Sequence, residues 1–216
     1  MACASEPELR VLTALRLKSF APADVVAGAA GLSVDGAEPI LQSLLERAFV
    51  KHREGVLTGW LLTPAGRAEG ERLLAAELES SQTRSIVDGG YRQFLPLNAE
   101  VLHICTDWQL FGGEASQTLN DHHDAAYDAS VIARLSSLDA KLRPILHQLA
   151  DALDRFASYE TRLAHALDRV QAGPSGGDDW ADWFTKPTID SYHTVWFELH
   201  ENLLATLGIE RATEGQ

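Results

Sequence analysis

Apolar residues recur at helical spacing through the first eighty positions of the chain. Leu9, Leu12, Leu15 and Leu17 fall in "EPELRVLTALRLKSF", and Ile40, Leu41, Leu44 and Leu45 in "SVDGAEPILQSLLERAFV". Leu73, Leu74 and Leu78 follow in a stretch that begins at Thr63. Intervals of three and four predict an amphipathic helix in each segment, with Ile40, Leu41, Leu44 and Leu45 on one face of the second. Between the first two lies "APADVVAGAAG", a shorter helix opened by Pro22 and closed near Gly28 or Gly31. The pattern changes at Phe49. "FVKHR", a glycine-bearing tip "EGVLTG" and "WLLT" predict a small β-hairpin. Thr63-Pro64 then supplies an N-cap and a first-turn proline, so the return strand runs straight into a fourth helix ending near Ser80.

Beyond residue 80 the pattern is helical throughout. "SSQTRSIVDGG", residues 80–90, has the composition of a linker ending in a glycine pair. "YRQFLPLNAEVLHICTDWQLF" predicts one helix, its start delayed by Pro96, and "NDHHDAAYDASVIARLSSLDAKL" a second, capped by Asn120. An interior proline costs about 3 kcal/mol, so Pro144 is expected to begin a third helix running to Val170. "QAGPSGGDD" is a loop, and "TIDSYHTVWFELHENLLATLGI" a last helix stopped at Gly208. The expected fold class is mainly α: a head of three helices, a hairpin and a fourth helix over residues 1–84, then an all-helical, bundle-like domain over 85–216.

The order helix, helix, helix, hairpin, helix is that of a winged helix-turn-helix. Within it, Glu46-Arg47-Ala48-Phe49-Val50 and Leu62-Thr63-Pro64-Ala65-Gly66-Arg67 resemble the MarR-like winged-helix transcription regulators, over residues 6–80. In that family the third helix ends in Leu-Glu-Arg-Gly-Leu-Val and the second wing strand runs into Leu-Thr-Pro-x-Gly-Arg. The resemblance implies a cytoplasmic DNA-binding transcription regulator acting as a homodimer on double-stranded DNA, with the C-terminal domain serving dimerisation or a small-molecule effector. Carried onto this chain, the groove-facing positions are Glu38, Pro39, Gln42 and Ser43, with Asp35 nearby. The expected DNA-binding set is Gln42, Ser43, Arg47, Lys51, His52 and Arg53. Gln42 would read adenine, while Lys51, His52 and Arg53 on the first wing strand would meet phosphates. "SYHTVWFELHENLLATLGI" also resembles C-terminal appendages of bacterial phosphoenolpyruvate-utilising proteins, and supplies no catalytic residues.

Charge changes this picture. The chain of 216 residues carries a net −13. Residues 1–84 hold nine Lys and Arg against eleven Asp and Glu, whereas residues 85–216 hold nine against twenty. With so few cations in the head, nonspecific DNA affinity would be weak, because few counterions are released. An alternative reading therefore stands beside the first: the winged helix docks another protein, such as a metabolic enzyme, without touching DNA. No apolar run is long enough to span a membrane, and the N-terminus lacks the features of a secretory signal. Two cysteines, Cys3 and Cys105, make no disulfide framework and suit a reducing cytoplasm.

Candidate chemistry is sparse. Seven of the eight histidines follow residue 84, yet His-x-x-x-His is absent and "HENLL" does not fit the zinc-hydrolase pattern. No metal, no cofactor and no enzymatic activity are expected: "GPSGG" has the spacing of G-x-S-x-G but no preceding strand to form a nucleophile turn, and there is no phosphate-binding glycine loop. Asp121, Asp124 and Asp128 are placed on one helical face. Trp108, Phe111, Trp180, Trp183, Phe184, Tyr192, Trp196 and Phe197 crowd the two ends of the helical domain. With His193, Trp196 and His200 on one helical face, the expected ligand pocket comprises His103, Trp108, His193, Trp196 and His200. The competing expectation is a packed core joining the first and last helices of that domain.

Overall fold

A computed structural model of the chain describes residues 2–112 and 118–211. It is mainly helical, with one two-stranded antiparallel sheet. The chain divides into two compact units. The first takes in residues up to Val87, Ala152–Arg155 and the chain from His200 onward; the second is Asp88–Asp151 with Phe156–Leu199.

In the first unit α1 (Pro7–Lys18), α2 (Ala23–Ala30) and α3 (Val34–Glu46) precede the strands β1 (Val50–Arg53) and β2 (Gly59–Leu62), and α4 (Pro64–Ser81) follows. The hairpin lies where the alternation placed it, in the register Val50↔Leu62, Lys51↔Leu61, His52↔Trp60 and Arg53↔Gly59. Its core joins Val11, Leu12 and Leu15 of α1 to Val26, Leu41, Leu44, Val50 and Trp60. Gly31, in the left-handed region at φ 66°, closes α2. Ser33 caps α3 by accepting the Gly36 N–H at 3.1 Å. The buried stripe of α3 is Ala37, Leu41 and Leu44. Leu45, expected on that face, is exposed, because it lies one position, about 100°, beyond the stripe.

The end of α3 explains one local cost. The Phe49 N–H donates to the Leu44 carbonyl and the Ala48 N–H to the Leu45 carbonyl, both at 2.9 Å, which is the Schellman arrangement. Ala48 therefore sits at φ 58°, in a conformation that glycine adopts without a Cβ clash. Ala48→Gly is expected to stabilise the unit by roughly 1 kcal/mol, read as a raised urea midpoint at unchanged slope.

The presumed linker at 80–90 is instead helix. α4 ends at Ser81, Gln82 turns the chain at φ 56°, and α5 (Arg84–Gln109) begins two residues later and runs through Gly89, Gly90 and Pro96. The glycine pair serves packing, not flexibility: a Cβ on Gly90 would lie 2.9 Å from Leu149 Cδ2, so the backbone of α5 approaches the Leu149 side chain closely.

α6 (Ala125–Ala152) contains Pro144, which was expected to start a helix. Leu142, Ile145, Leu146 and Leu149 around it are all buried, and their burial outweighs the lost hydrogen bond. The break comes later and has a visible cause. The Asp154 N–H donates to the Cys3 carbonyl at 3.1 Å, and the Ala152 carbonyl accepts the Cys3 N–H at 3.0 Å. An extended N-terminal segment thus diverts backbone groups that helix continuation would need. A 3₁₀ turn at Asp154–Phe156 leads into α7 (Ser158–Gln171), half the predicted length, then α8 (Asp182–Thr185) and α9 (Tyr192–Leu207).

Asn120 does not cap α6. Asp124 does, accepting the N–H groups of Ala126 and Tyr127 at 3.0 Å each. Asn120 instead donates to the Trp108 carbonyl at 3.1 Å and to Asp128 at 2.8 Å. Asp121 and Asp124 precede the helix, so they share no helical face with Asp128.

Among the described residues, no helix is long and apolar enough to cross a membrane.

Candidate functional site

The hairpin and α3 carry the residues singled out for binding. α3 is oriented by its buried stripe. Its outer side presents Val34, Asp35, Pro39, Gln42, Ser43, Leu45 and Glu46 to solvent, with Glu38 half-buried. Gln42 Nε2 donates to Glu38 Oε1 at 3.0 Å, so its amide is oriented along the helix by a carboxylate one turn back.

Arg47 is exposed, but its guanidinium lies along the surface of its own unit. Its Nη1 donates to Glu8 Oε2 of α1 at 2.7 Å, Nη2 lies 3.8 Å from Glu69 Oε1 of α4, and the guanidinium stands 4.6 Å over the Phe49 ring. The hydrogen bond to Glu8 raises its pKa above the ordinary arginine value. Three elements thus share this cation.

Successive side chains of β1 point to opposite faces, and only Val50 among them is buried. Lys51 and Arg53 point the opposite way from it, both exposed. Neither cation has an ion-pair partner among the described residues. His52 lies against Trp60, ring centroids 4.5 Å apart, with Nδ1 3.6 Å from Glu54. At the hairpin tip Val56 is fully exposed and Leu57 is 69% exposed. These two apolar tip residues were not singled out in advance. The signal was nonetheless present: two aliphatic side chains between Gly55 and Thr58, at a turn where burial is geometrically impossible.

The five residues expected to form a ligand pocket are divided between the units, with His200 in the first and the other four in the second. Trp108 is enclosed by aromatic neighbours, stacked on Phe184 at 4.3 Å, edge-on to Trp180 at 5.5 Å and against His122 at 4.3 Å. Trp196 stacks on Phe94 at 4.9 Å, and its indole N–H donates to Asn98 Oδ1 at 3.0 Å. Both tryptophans are core anchors with filled surroundings. His103 is exposed and His200 is buried; His193 is half-buried, and desolvation lowers its pKa.

Among the described residues no group of three His, Cys, Asp or Glu is placed to hold a metal ion. Burial pushes the Cys105 thiol up to about 12, so almost no thiolate forms near neutrality. Half-buried Cys3 contrasts with it. A disulfide-exchange reagent at pH 8 is expected to titrate Cys3 in the native protein and Cys105 only after denaturant, which makes Cys105 a reporter of opening in the second unit.

The chain matches no family model, no curated protein and no solved structure.

Proposed function

We propose that the first unit is a winged-helix docking module that engages a protein partner through the outer side of α3 and the hairpin tip. One observation carries this reading: the solvent-facing chemistry is apolar and acidic. Val34 and Leu45 on α3 and Val56 and Leu57 at the tip are exposed aliphatics, set among Asp35, Glu38, Glu46 and Glu54. Aliphatic side chains projecting into water favour burial against another protein. Duplex DNA, with one charge per roughly 1.7 Å of axis, repels the carboxylates. Arg47, one of the cations a DNA reader would use, is engaged by Glu8 and Glu69.

DNA binding is retained as a second reading on one specific feature, the outward pair Lys51 and Arg53 on β1. A regulator built on it would act as a homodimer with its two α3 helices about 34 Å apart, one turn of DNA.

A photo-crosslinking residue placed at Val56 in cells, combined with duplex titrations of the purified chain, tests the choice. Docking predicts a discrete protein adduct that Leu57→Asp abolishes, and no duplex binding at about 50 mM salt. Duplex binding that weakens as salt rises, with a slope reduced by about two per protomer in K51A/R53A, would overturn docking in favour of DNA.

A further inference from the structure

The first unit contains an open cleft of about 590 Å³ lined by residues of α1, α4, the C-terminal end of α9 and the segment 208–211 that follows it. That volume falls within the range of small-molecule sites, about 300–1,000 Å³. None of the residues expected to bind an effector lines it.

We infer that this cleft is a binding site for a free apolar α-amino acid. The inference goes beyond the docking reading and is independent of it.

The charges around the cleft balance. Arg16, Arg67 and Arg211 are matched by Glu71, Glu201 and Glu210. They are not equivalent, however. Arg16, with a side chain only 13% exposed, donates to Glu71 at 2.9 Å and to Glu201 at 3.0 Å, and Arg211 reaches Glu201 at 3.3 Å. These groups neutralise and fix one another. Arg67 is the exception. It lies one helical turn before Glu71 on α4, where the two would ordinarily pair, but Glu71 is turned to Arg16. Arg67 has no side-chain partner among the described residues. A free guanidinium at a cleft wall is a bidentate receptor for a carboxylate.

The ligand class follows from what stands near it. A simple anion would meet three carboxylates, and a simple cation three guanidiniums. A zwitterion meets neither difficulty. Arg67 and Glu71 are about 6 Å apart along the helix axis, a separation that brackets ammonium and carboxylate groups sharing one carbon. Glu71 spends one oxygen on Arg16 and keeps acceptor capacity for an ammonium. Leu204, Ala205 and Ile209 are the larger apolar members of the lining; Leu204 and Ala205 are themselves buried, so half-buried Ile209 offers most of the apolar surface for the side chain.

Isothermal titration of the full chain with L-leucine and L-phenylalanine tests the inference. Two truncated probes accompany them: 4-methylpentanoate, which lacks the ammonium, and leucinamide, which lacks the carboxylate. Saturable one-to-one binding of at least one amino acid is expected, weakened on the order of tenfold or more by Arg67→Gln and by either truncation. Arg67 is exposed, so R67Q is expected to melt with the parent, and the melting curve verifies this. Three results would each overturn the inference: no saturable heat from either amino acid up to about 10 mM, binding unchanged in R67Q, or 4-methylpentanoate binding as tightly as leucine. The last would mark a plain anion site. None of these outcomes bears on the crosslinking and duplex tests of the docking face.

Discussion

Gly66→Ala is expected to destabilise the first unit by about 2–4 kcal/mol, the sum of a lost helix cap and one or two backbone hydrogen bonds. A Cβ on Gly66 would stand 1.9 Å from the Phe49 carbonyl oxygen and 2.7 Å from its carbonyl carbon. Those are backbone atoms, so no rotamer change relieves the overlap; either the first turn of α4 or the start of the hairpin must move. Both are tied to the same carbonyl. Phe49 O accepts the Thr63 N–H at 3.0 Å and the Thr63 hydroxyl at 3.1 Å, while Thr63 Oγ1 in turn accepts the Gly66 N–H at 3.0 Å. Movement of either side breaks the cap and the strand-to-helix junction together. Trp60, 3% exposed in β2, is the natural fluorescence reporter for urea unfolding. Gly70→Ala, one turn further along α4, is the control. Its Cβ would meet nothing closer than Leu12 Cβ at 3.6 Å, an ordinary contact. There the gain in helix propensity, about 1 kcal/mol, should prevail and stabilise the protein. Equal effects from the two substitutions would refute this account of the junction.

That junction was legible from the sequence because it is local. The cap Thr63, the first-turn Pro64 and the alternation in "WLLT" act on neighbouring residues, and the hairpin register and α4 follow from them. The errors share the opposite cause. Gly89-Gly90 has linker composition, but only the position of Leu149, about sixty residues away, shows why the glycine is there. Pro144 has helix-breaking chemistry, overridden by the burial of its neighbours. The true break near Leu153 comes from backbone pairing with Cys3, across some 150 residues of chain. The candidate site divides in the same way. The resemblance placed Glu38, Pro39, Gln42 and Ser43 on the outer side of α3 and took Lys51, His52 and Arg53 together; only the structure sets His52 against Trp60, apart from the outward pair Lys51 and Arg53. The resemblance could not show that Arg47 is taken by Glu8 and Glu69, or that Glu71 turns to Arg16 and leaves Arg67 without a side-chain partner among the described residues. Ion-pair partnering is a tertiary fact, and a list of cations overstates how many are available.

Arg155→Ala is expected to have the largest effect on the first unit, about 3–5 kcal/mol, the range for removing one member of a buried ion pair. The Arg155 side chain is 5% exposed and its partner Glu77 8%, with Nε 3.0 Å from Glu77 Oε2. Its other nitrogens donate to the Asn202 side-chain carbonyl and, at 2.8 Å, to the Thr206 hydroxyl. One guanidinium thereby holds α4, the turn after α6 and the C-terminal part of α9, segments remote in sequence that belong to the same unit. Alanine would leave the Glu77 carboxylate buried without its cation and remove the charged donor to Asn202 Oδ1, and the cost arises from the abandoned carboxylate more than from the lost attraction. The double variant Arg155→Met, Glu77→Leu distinguishes the two. It removes both charges and roughly keeps the volume, so it should unfold at a clearly higher urea concentration than R155A, close to the parent. If the double variant were instead as unstable as the sum of its single changes, the pair would be uncoupled. The stability of this unit would then rest on its apolar contacts, such as Leu9 and Leu74 against Ala205. Near-parental stability would give the pair a different role: choosing which end of the chain packs on α4, at little net gain in free energy. The extended segment before α1 fits that role. Ser5 N–H donates to Asp154 at 3.0 Å and Arg10 pairs with the same carboxylate, so the residue beside Arg155 anchors the other end of the chain.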